Sequence, residues 1–275
     1  MNIKTVLVTG CASGIGLSLA DRLFRDGHRV MATDINAEAL EAVAAERGWS
    51  RSKAVLLKTH DVRDCASWEH CVDALIEHWG QLDILMNIAG ILVPGYTHEV
   101  DQGHVDKHID INVKGVMLGT SVASAVMVRQ GFGHIINMAS LAGVTPVPGL
   151  AVYSGSKHAV RGFTLSAALD LAEHGVDVSV VCPDAVDTPM LDLQRDYEEA
   201  VLAFSGSRPL SVDDVVTAIV EEVMVEKTLE KLLAPKYTGR TKLARVVSVL
   251  PEVGARLGPV MRAVGRRQYK RRKRS

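Results

Sequence analysis

The segment TVLVTGCASGIG, residues 5–16, decides how the rest of the chain is read. A β-branched, apolar run ends on a glycine, and LSLADRLFRD continues it with a helical pattern. Gly10, Gly14 and Gly16 permit a tight turn, approach of the backbone to a pyrophosphate, and close packing of helix on strand. The helix N-terminus then faces the anion with free N–H groups. The spacing is GxxxGxG, not GxGxxG, so the assignment rests on the flanking strand and helix; the alternative is an ordinary glycine-rich turn.

Outward from this segment, RVMATD, AVLLKTHD, LDILMNIAG, GHIINMAS and VDVSVVCP are further short, nearly continuous apolar runs. Such runs mark strands buried on both faces, and the stretches between them are long enough for crossover helices. Gly27 and Gly175 fit helix ends placed just before strands. The pattern predicts an α/β fold: a doubly wound parallel sheet of about seven strands with helices on both faces, KLLAP at 231–235 supplying the last. One domain is expected over 1–235, with a separate basic amphipathic or disordered extension over 236–275.

Composition agrees with a single large core: 275 residues, 47% hydrophobic and 23% charged. The net charge of −1 hides an asymmetry, since 236–275 carries 13 Lys or Arg against Glu252 alone, leaving 18 basic and 31 acidic residues before it. VKGVMLGTSVASAVMV at 113–128 contains Lys114 and is shorter than the roughly 20 residues a spanning helix needs, so it reads as a buried helix. Cys11, Cys65, Cys71 and Cys182 form no CxxC pair and the histidines no ligand spacing, so no metal is expected. The N-terminus lacks the pattern of a signal peptide, and a cytoplasmic location is expected.

Asp34 closes the second run, 18 residues beyond Gly16, where a carboxylate can accept hydrogen bonds from an adenosine ribose. It would repel a 2′-phosphate, and no Lys or Arg stands beside it or at 11–13, which favours NAD(H) over NADP(H). Its plainer reading is a turn residue before a helix capped by Asn36. Further on, YSGSK at 153–157 sets Tyr153 and Lys157 one helical turn apart on one face. A fixed ammonium is expected to lower a phenol pKa that is ordinarily about 10, although such a pair also occurs on exposed helices. His158 points away from Lys157 and is expected to be structural.

These motifs, in this order, make the chain resemble the short-chain dehydrogenases/reductases over residues 5 to about 190. The resemblance implies that Gly10, Ser13, Gly14, Ile15 and Gly16 form the cofactor loop and that Asp61 and Val62 meet adenine. NIAG, where the family usually has NNAG, keeps Asn87, Ala89 and Gly90 near the cofactor. Asn112, Ser140, Tyr153 and Lys157 match the family's catalytic four. Ser140 would bind the substrate oxygen and Tyr153 would exchange its proton. Lys157 would hold the nicotinamide ribose, and Asn112 would position a water. Pro183, Val186 and Thr188 would lie at the nicotinamide, with Asp184 departing from the usual glycine; a positive φ there would strain an aspartate. The resemblance also implies a homodimer or homotetramer built on helices at roughly 101–130 and 153–174.

ILVPGY, LAGVTPVPGL and PMLDLQRDYEEAVLAF are mostly apolar candidate pocket segments. They suggest a hydrophobic secondary alcohol or ketone of lipid, steroid, retinoid or terpenoid type. Two alternatives stand beside it: an NADPH-dependent 3-oxoacyl ketoreductase, which Asp34 disfavours, and a non-catalytic NAD-binding regulator acting through its tail, which the four catalytic matches disfavour. Leu243, Val246, Val247 and Leu250 fall at i, i+3, i+4 and i+7 among basic residues. The tail therefore admits contact with an anionic membrane, a solvated extension or, last, nucleic acid.

Overall fold

The computed structural model describes residues 2–194, 197–200, 208–236, 238–250 and 252–253. β1 (Thr5–Thr9), β2 (Arg29–Asp34), β3 (Val55–Thr59), β4 (Ile84–Asn87), β5 (Gly133–Met138), β6 (Val176–Pro183) and β7 (Glu230–Leu233) form one sheet. Their order is β3-β2-β1-β4-β5-β6-β7 and every pairing is parallel. The predicted doubly wound α/β sheet is therefore present, including the strand read from KLLAP.

Alternation within the apolar runs explains why they are continuous. Val6, Val8, Val30, Ala32, Ile84 and Met86 point to one face, where they meet α1 (Gly14–Arg25), α2 (Ala37–Arg47) and residues of α8 (Val212–Thr217). Leu7, Met31, Leu85 and Ile135 point to the other, against α3 (Cys65–Trp79), α5 (Gly115–Gln130) and α6 (Ala151–Leu171). Both faces are covered by helices, so a polar residue at either parity would be buried. α4 (Gln102–His108) passes through a π-helical turn (Ile109–Lys114) into α5. Together they make a helix of 29 residues, long and apolar enough by composition to cross a membrane, yet Val116, Ala123 and Met127 pack inward on the body.

Expected helix signals hold locally. Asn36 accepts from the Ala39 N–H at 3.1 Å and caps α2, and Gly27 follows α1 with positive φ. After β6 come α7 (Pro189–Leu193) and, beyond α8, a second π-helical turn (Ala218–Val223), α9 (Met224–Glu226) and α10 (Arg240–Val249).

The expected break after residue 235 is not where the chain leaves the body. α10 packs Ala244 and Val247 inward, and Ala244 joins a core cluster with Leu141, Val144, Val160, Val180 and Cys182. The four-residue apolar stripe is split accordingly: Val247 is buried and Leu243, Val246 and Leu250 stay exposed. Residues 254–275 lie outside the described residues.

The strand order reverses between β1 and β4, and the two strands are knitted at their carboxyl ends. Thr9 Oγ1 accepts from the N–H groups of Ile88 and Ala89, each at 3.0 Å. Gly10, at φ +75°, abuts Ala89, and a Cβ on Gly16 would collide with the Gly10 carbonyl. Replacing Gly16→Ala is expected to cost about 1–3 kcal/mol through overpacking, read as a lower denaturation midpoint; an unchanged midpoint would show that the turn yields.

Candidate active site

The crevice where the strand order reverses is lined first by the turn from β1 into α1. Ser13 is the extended residue before α1 and makes no side-chain cap, so it places no oxygen over the first N–H groups of the helix. Gly14 faces Thr188, whose methyl would lie 3.6 Å from a Cβ built there. Ile15 packs on the core beneath. Asp34, at the end of β2, is held by two backbone donors: Ala12 N–H at 3.0 Å and Asn36 N–H at 2.9 Å. Its carboxylate thus sits against the glycine turn, where a ribose diol attached to a bound pyrophosphate can reach it.

The four candidate catalytic residues converge from three elements. Ser140 follows β5, accepts from Ala142 N–H at 3.1 Å and donates to the Pro183 carbonyl at 3.4 Å. Tyr153 and Lys157 stand in the first two turns of α6, with Lys157 Nζ 5.8 Å from the phenol ring centroid. Lys157 Nζ donates to the Met138 carbonyl at 2.9 Å. Asn112 sits within the π-helical turn, fully buried, accepting from Ile91 N–H at 2.8 Å and donating to the Ile91 carbonyl and to Ser156 Oγ. A Cβ on Gly90 would lie 3.1 Å from Asn112 Oδ1 and 3.5 Å from Lys157 Nζ, so Gly90 lets the loop after β4 close on both.

The electrostatics correct one expectation. Burial pushes the Tyr153 phenol up to about 12, with its hydrogen bond to Ser140 pulling the other way. Burial also pushes the Lys157 ammonium down to about 8. The ammonium was expected to lower the phenol; desolvation of a ring only 8% exposed outweighs it. Cys182, buried beside both, is itself pushed up to about 12 by burial and is a neutral thiol at pH 7.

Other expected cofactor contacts are placed differently. Asn87 is buried and donates to Asn137 Oδ1 at 2.8 Å, in a polar network with Thr120 and Thr164 between sheet and helices, so its side chain does not face the crevice. Asp61 turns back to form a two-pronged pair with Arg63 at 2.7–3.1 Å. Val62 packs on Gly115 and its carbonyl accepts from Trp68 Nε1. Val186 is buried on the core and bridges to Leu210, which leaves Pro183 and Thr188 as the residues of that loop beside Ser140 and Gly14. His158 is exposed and bonded to the Ser154 carbonyl.

Two features escaped the sequence. His108 is fully buried; its Nε2 accepts from Val93 N–H at 3.1 Å, and its ring meets Tyr153 edge-on at 6.4 Å. It thereby fixes the loop after β4 against the phenol, a role its isolated position in the chain did not signal. Asp184, in place of the usual glycine, has no positive φ. Its carboxylate instead takes Arg240 of α10 at 2.6 and 3.2 Å, both side chains largely buried. The backbone strain considered for this position does not arise.

Around Tyr153 stand Leu92, Ala142, Val147, Leu150 and Ala200, one or more from each of the three candidate pocket segments. Residues 195–196 and 201–204 of the third lie outside the described residues.

A family model described as short chain dehydrogenase matches residues 4–199. The 2-(R)-hydroxypropyl-CoM dehydrogenase of Xanthobacter autotrophicus is 36% identical over 199 residues, covering 71% of this chain and 80% of that protein. The cyclopentanol dehydrogenase of a Comamonas species is 34% identical over 229 residues, covering 81% and 91%. Among solved structures, a short chain dehydrogenase/reductase from Burkholderia phymatum in complex with NAD superposes with a TM-score of 0.81 at 25% identity, over 92% of this chain and 95% of that one.

Two measurements follow from this geometry. Lys157 is charged at a cost in the fold, since its pKa of about 8 lies below the ordinary 10.5. The unfolded chain binds more protons between these values, so stability rises with pH across that window. Lys157→Met is expected to be the more stable form near neutral pH, with its advantage shrinking by up to about 3 kcal/mol toward pH 10.5; a constant difference in denaturation free energy across that range contradicts the depressed pKa. For the second pair, a double-mutant cycle with Asp184→Asn and Arg240→Ala is expected to give a coupling of about 1–3 kcal/mol.

Proposed function

The chain belongs to the short-chain dehydrogenase family and is an oxidoreductase acting on alcohols and ketones, and on that footing we propose that it moves hydride between NAD(H) and a hydrophobic secondary alcohol or ketone. The observation that carries this reading is the convergence of Ser140, Tyr153 and Lys157 beneath an apolar cover made by Leu92, Val147 and Leu150. The residues present fit the dinucleotide: the glycine turn leaves the first amides of α1 without a side-chain cap, and Asp34 is held against that turn. When bound, NAD(H) supplies the hydride acceptor or donor.

The remaining steps belong to the chain's own residues. Ser140 and Tyr153 hydrogen-bond the substrate oxygen and fix its distance from the nicotinamide side of the crevice, where Thr188 and Pro183 stand. In reduction, Tyr153 gives its proton to that oxygen; in oxidation it takes the hydroxyl proton. A phenol with its pKa near 12 is held protonated and is a donor as it stands, so reduction starts from the resting form. Oxidation needs the proton removed first, and Lys157, titrating near 8, is the neighbouring group able to compensate the charge.

The choice of NAD(H) over NADP(H) rests on Asp34, whose charge disfavours a 2′-phosphate. Apolar lining around Tyr153 supports a hydrophobic substrate, since a polar one would leave donors unpaired there. A homodimer or homotetramer built on α5 and α6 is supported by an apolar groove of about 580 Å³ along them, lined by Val113 of the preceding turn, Met117, Leu118, Phe163 and Leu171.

A panel of secondary alcohols tested with NAD and NADP is expected to show faster turnover with NAD and with the more hydrophobic members. Tyr153→Phe is expected to lower kcat by about 10²–10⁴-fold while NADH binding, followed by fluorescence, persists. Unchanged kcat in that variant, or turnover of small polar alcohols alone, would overturn the assignment.

A further inference from the structure

We propose that α10 is a docking surface for anionic lipid bilayers, held in a fixed orientation by the Asp184–Arg240 ion pair. The helix is clamped at its first residue: Arg240 Nε lies 2.6 Å from Asp184 Oδ2, and Ala244 and Val247, 3% and 5% exposed, continue the same inward face. With that face committed, the neighbouring arc is set outward. It carries Leu243, Val246, Val249 and Leu250, which are 36%, 47%, 77% and 52% exposed. Lys242, exposed, falls within that arc between Val246 and Val249, and Arg245, also exposed, follows on its far side. Around the helix the core face is therefore followed by an apolar ridge whose outer edge carries the cations, which is how an interfacial helix meets the boundary between acyl chains and headgroups.

Charge selects among occupants. Beyond the helix and Glu252, residues 254–275 add nine Lys or Arg and no acid. A second copy on the ridge would bring two such segments together, and their repulsion opposes the contact. Nucleic acid would satisfy the cations but would leave the apolar ridge in water. A bilayer containing anionic lipid takes both, the ridge entering the headgroup layer and the cations resting on it at a favourable surface potential.

Position gives the docking a consequence. Asp184 directly follows Pro183, whose carbonyl accepts from Ser140, so α10 begins beside the catalytic pocket and a bound membrane lies next to it. The docking itself does not depend on the proposed reaction, and vesicle binding can fail while turnover persists, or the reverse.

The test is co-sedimentation of the full chain with phosphatidylcholine vesicles with and without phosphatidylglycerol. Binding is expected only with phosphatidylglycerol and is expected to weaken as salt is raised. Val246→Glu combined with Leu250→Glu, and separately Arg271→Gln with Arg272→Gln, Lys273→Gln and Arg274→Gln, should each lower partitioning by about tenfold or more while alcohol turnover is kept. The second variant lies far along the chain from the packed face of α10 and keeps the test decisive if the first disturbs folding. Three results would overturn the proposal: no binding to anionic vesicles, equal partitioning of both variants and the parent chain, or a Val246/Leu250 variant that changes only the oligomeric mass or only duplex DNA binding.

Discussion

Backbone touching backbone at the carboxyl ends of β1 and β4 is the constraint on which the site depends. These two strands are where the sheet turns from one winding direction to the other, so the loops leaving them diverge and open a crevice. Thr9 closes the floor of that crevice by accepting from two successive amides of the neighbouring loop. The absence of a side chain at Gly16 lets α1 begin directly on the turn. Ser13, extended and without a side-chain cap, leaves the first amides of that helix open to an anion. Packing of α1 on the sheet and the open amides of its first turn thus come from adjacent residues of one turn.

Above that floor the chemistry is governed by burial more than by pairing. Lys157 is 4% exposed and its ammonium is held by a main-chain carbonyl, a neutral partner that offsets only part of the cost of desolvating a cation. Tyr153 suffers the same desolvation with the opposite sign for its charge. Burial drives the two pKa values apart, one falling to about 8 and the other rising to about 12. The phenol therefore stays protonated in this pocket, and the ammonium is the first of the two to lose its proton. His108 belongs to this arrangement because its ring covers an edge of the phenol, and burial lowers its pKa so that it adds no charge at neutral pH.

Much of this was legible in the chain before any coordinates. Continuous apolar runs are what a sheet covered on both faces requires, and the alternation of Val6, Leu7 and Val8 between two cores shows why neither parity could be polar. Glycine spacing located the turn, and the four-residue step placed Tyr153 and Lys157 together on one buried face of α6. Spacing carries no information on depth, however, so the sign of the tyrosine shift was misjudged. It also carries none on side-chain direction at a strand end, where Asn87 turns into the interior network instead of the crevice. Asp61 was taken by Arg63, two residues away, a local competition that a motif match does not weigh.

The least legible feature was the long-range one. An aspartate where its relatives' pattern has glycine reads, in isolation, as a defect of a turn. Arg240, 56 positions later, reads in isolation as one cation among many in a basic tail. Only the fold joins them, by bringing the first residue of α10 to the end of β6 between β5 and β7. Once joined, each accounts for the other: the carboxylate tolerates burial because a guanidinium matches both of its oxygens, and the helix holds one rotation because its first residue is fixed. A charge run that composition assigns to solvent thereby acquires a definite origin and direction, starting at the rim of the catalytic crevice. The departure at 184 is then a structural coupling between the loop after β6 and the C-terminal segment, and variation at either position should be read together with the other.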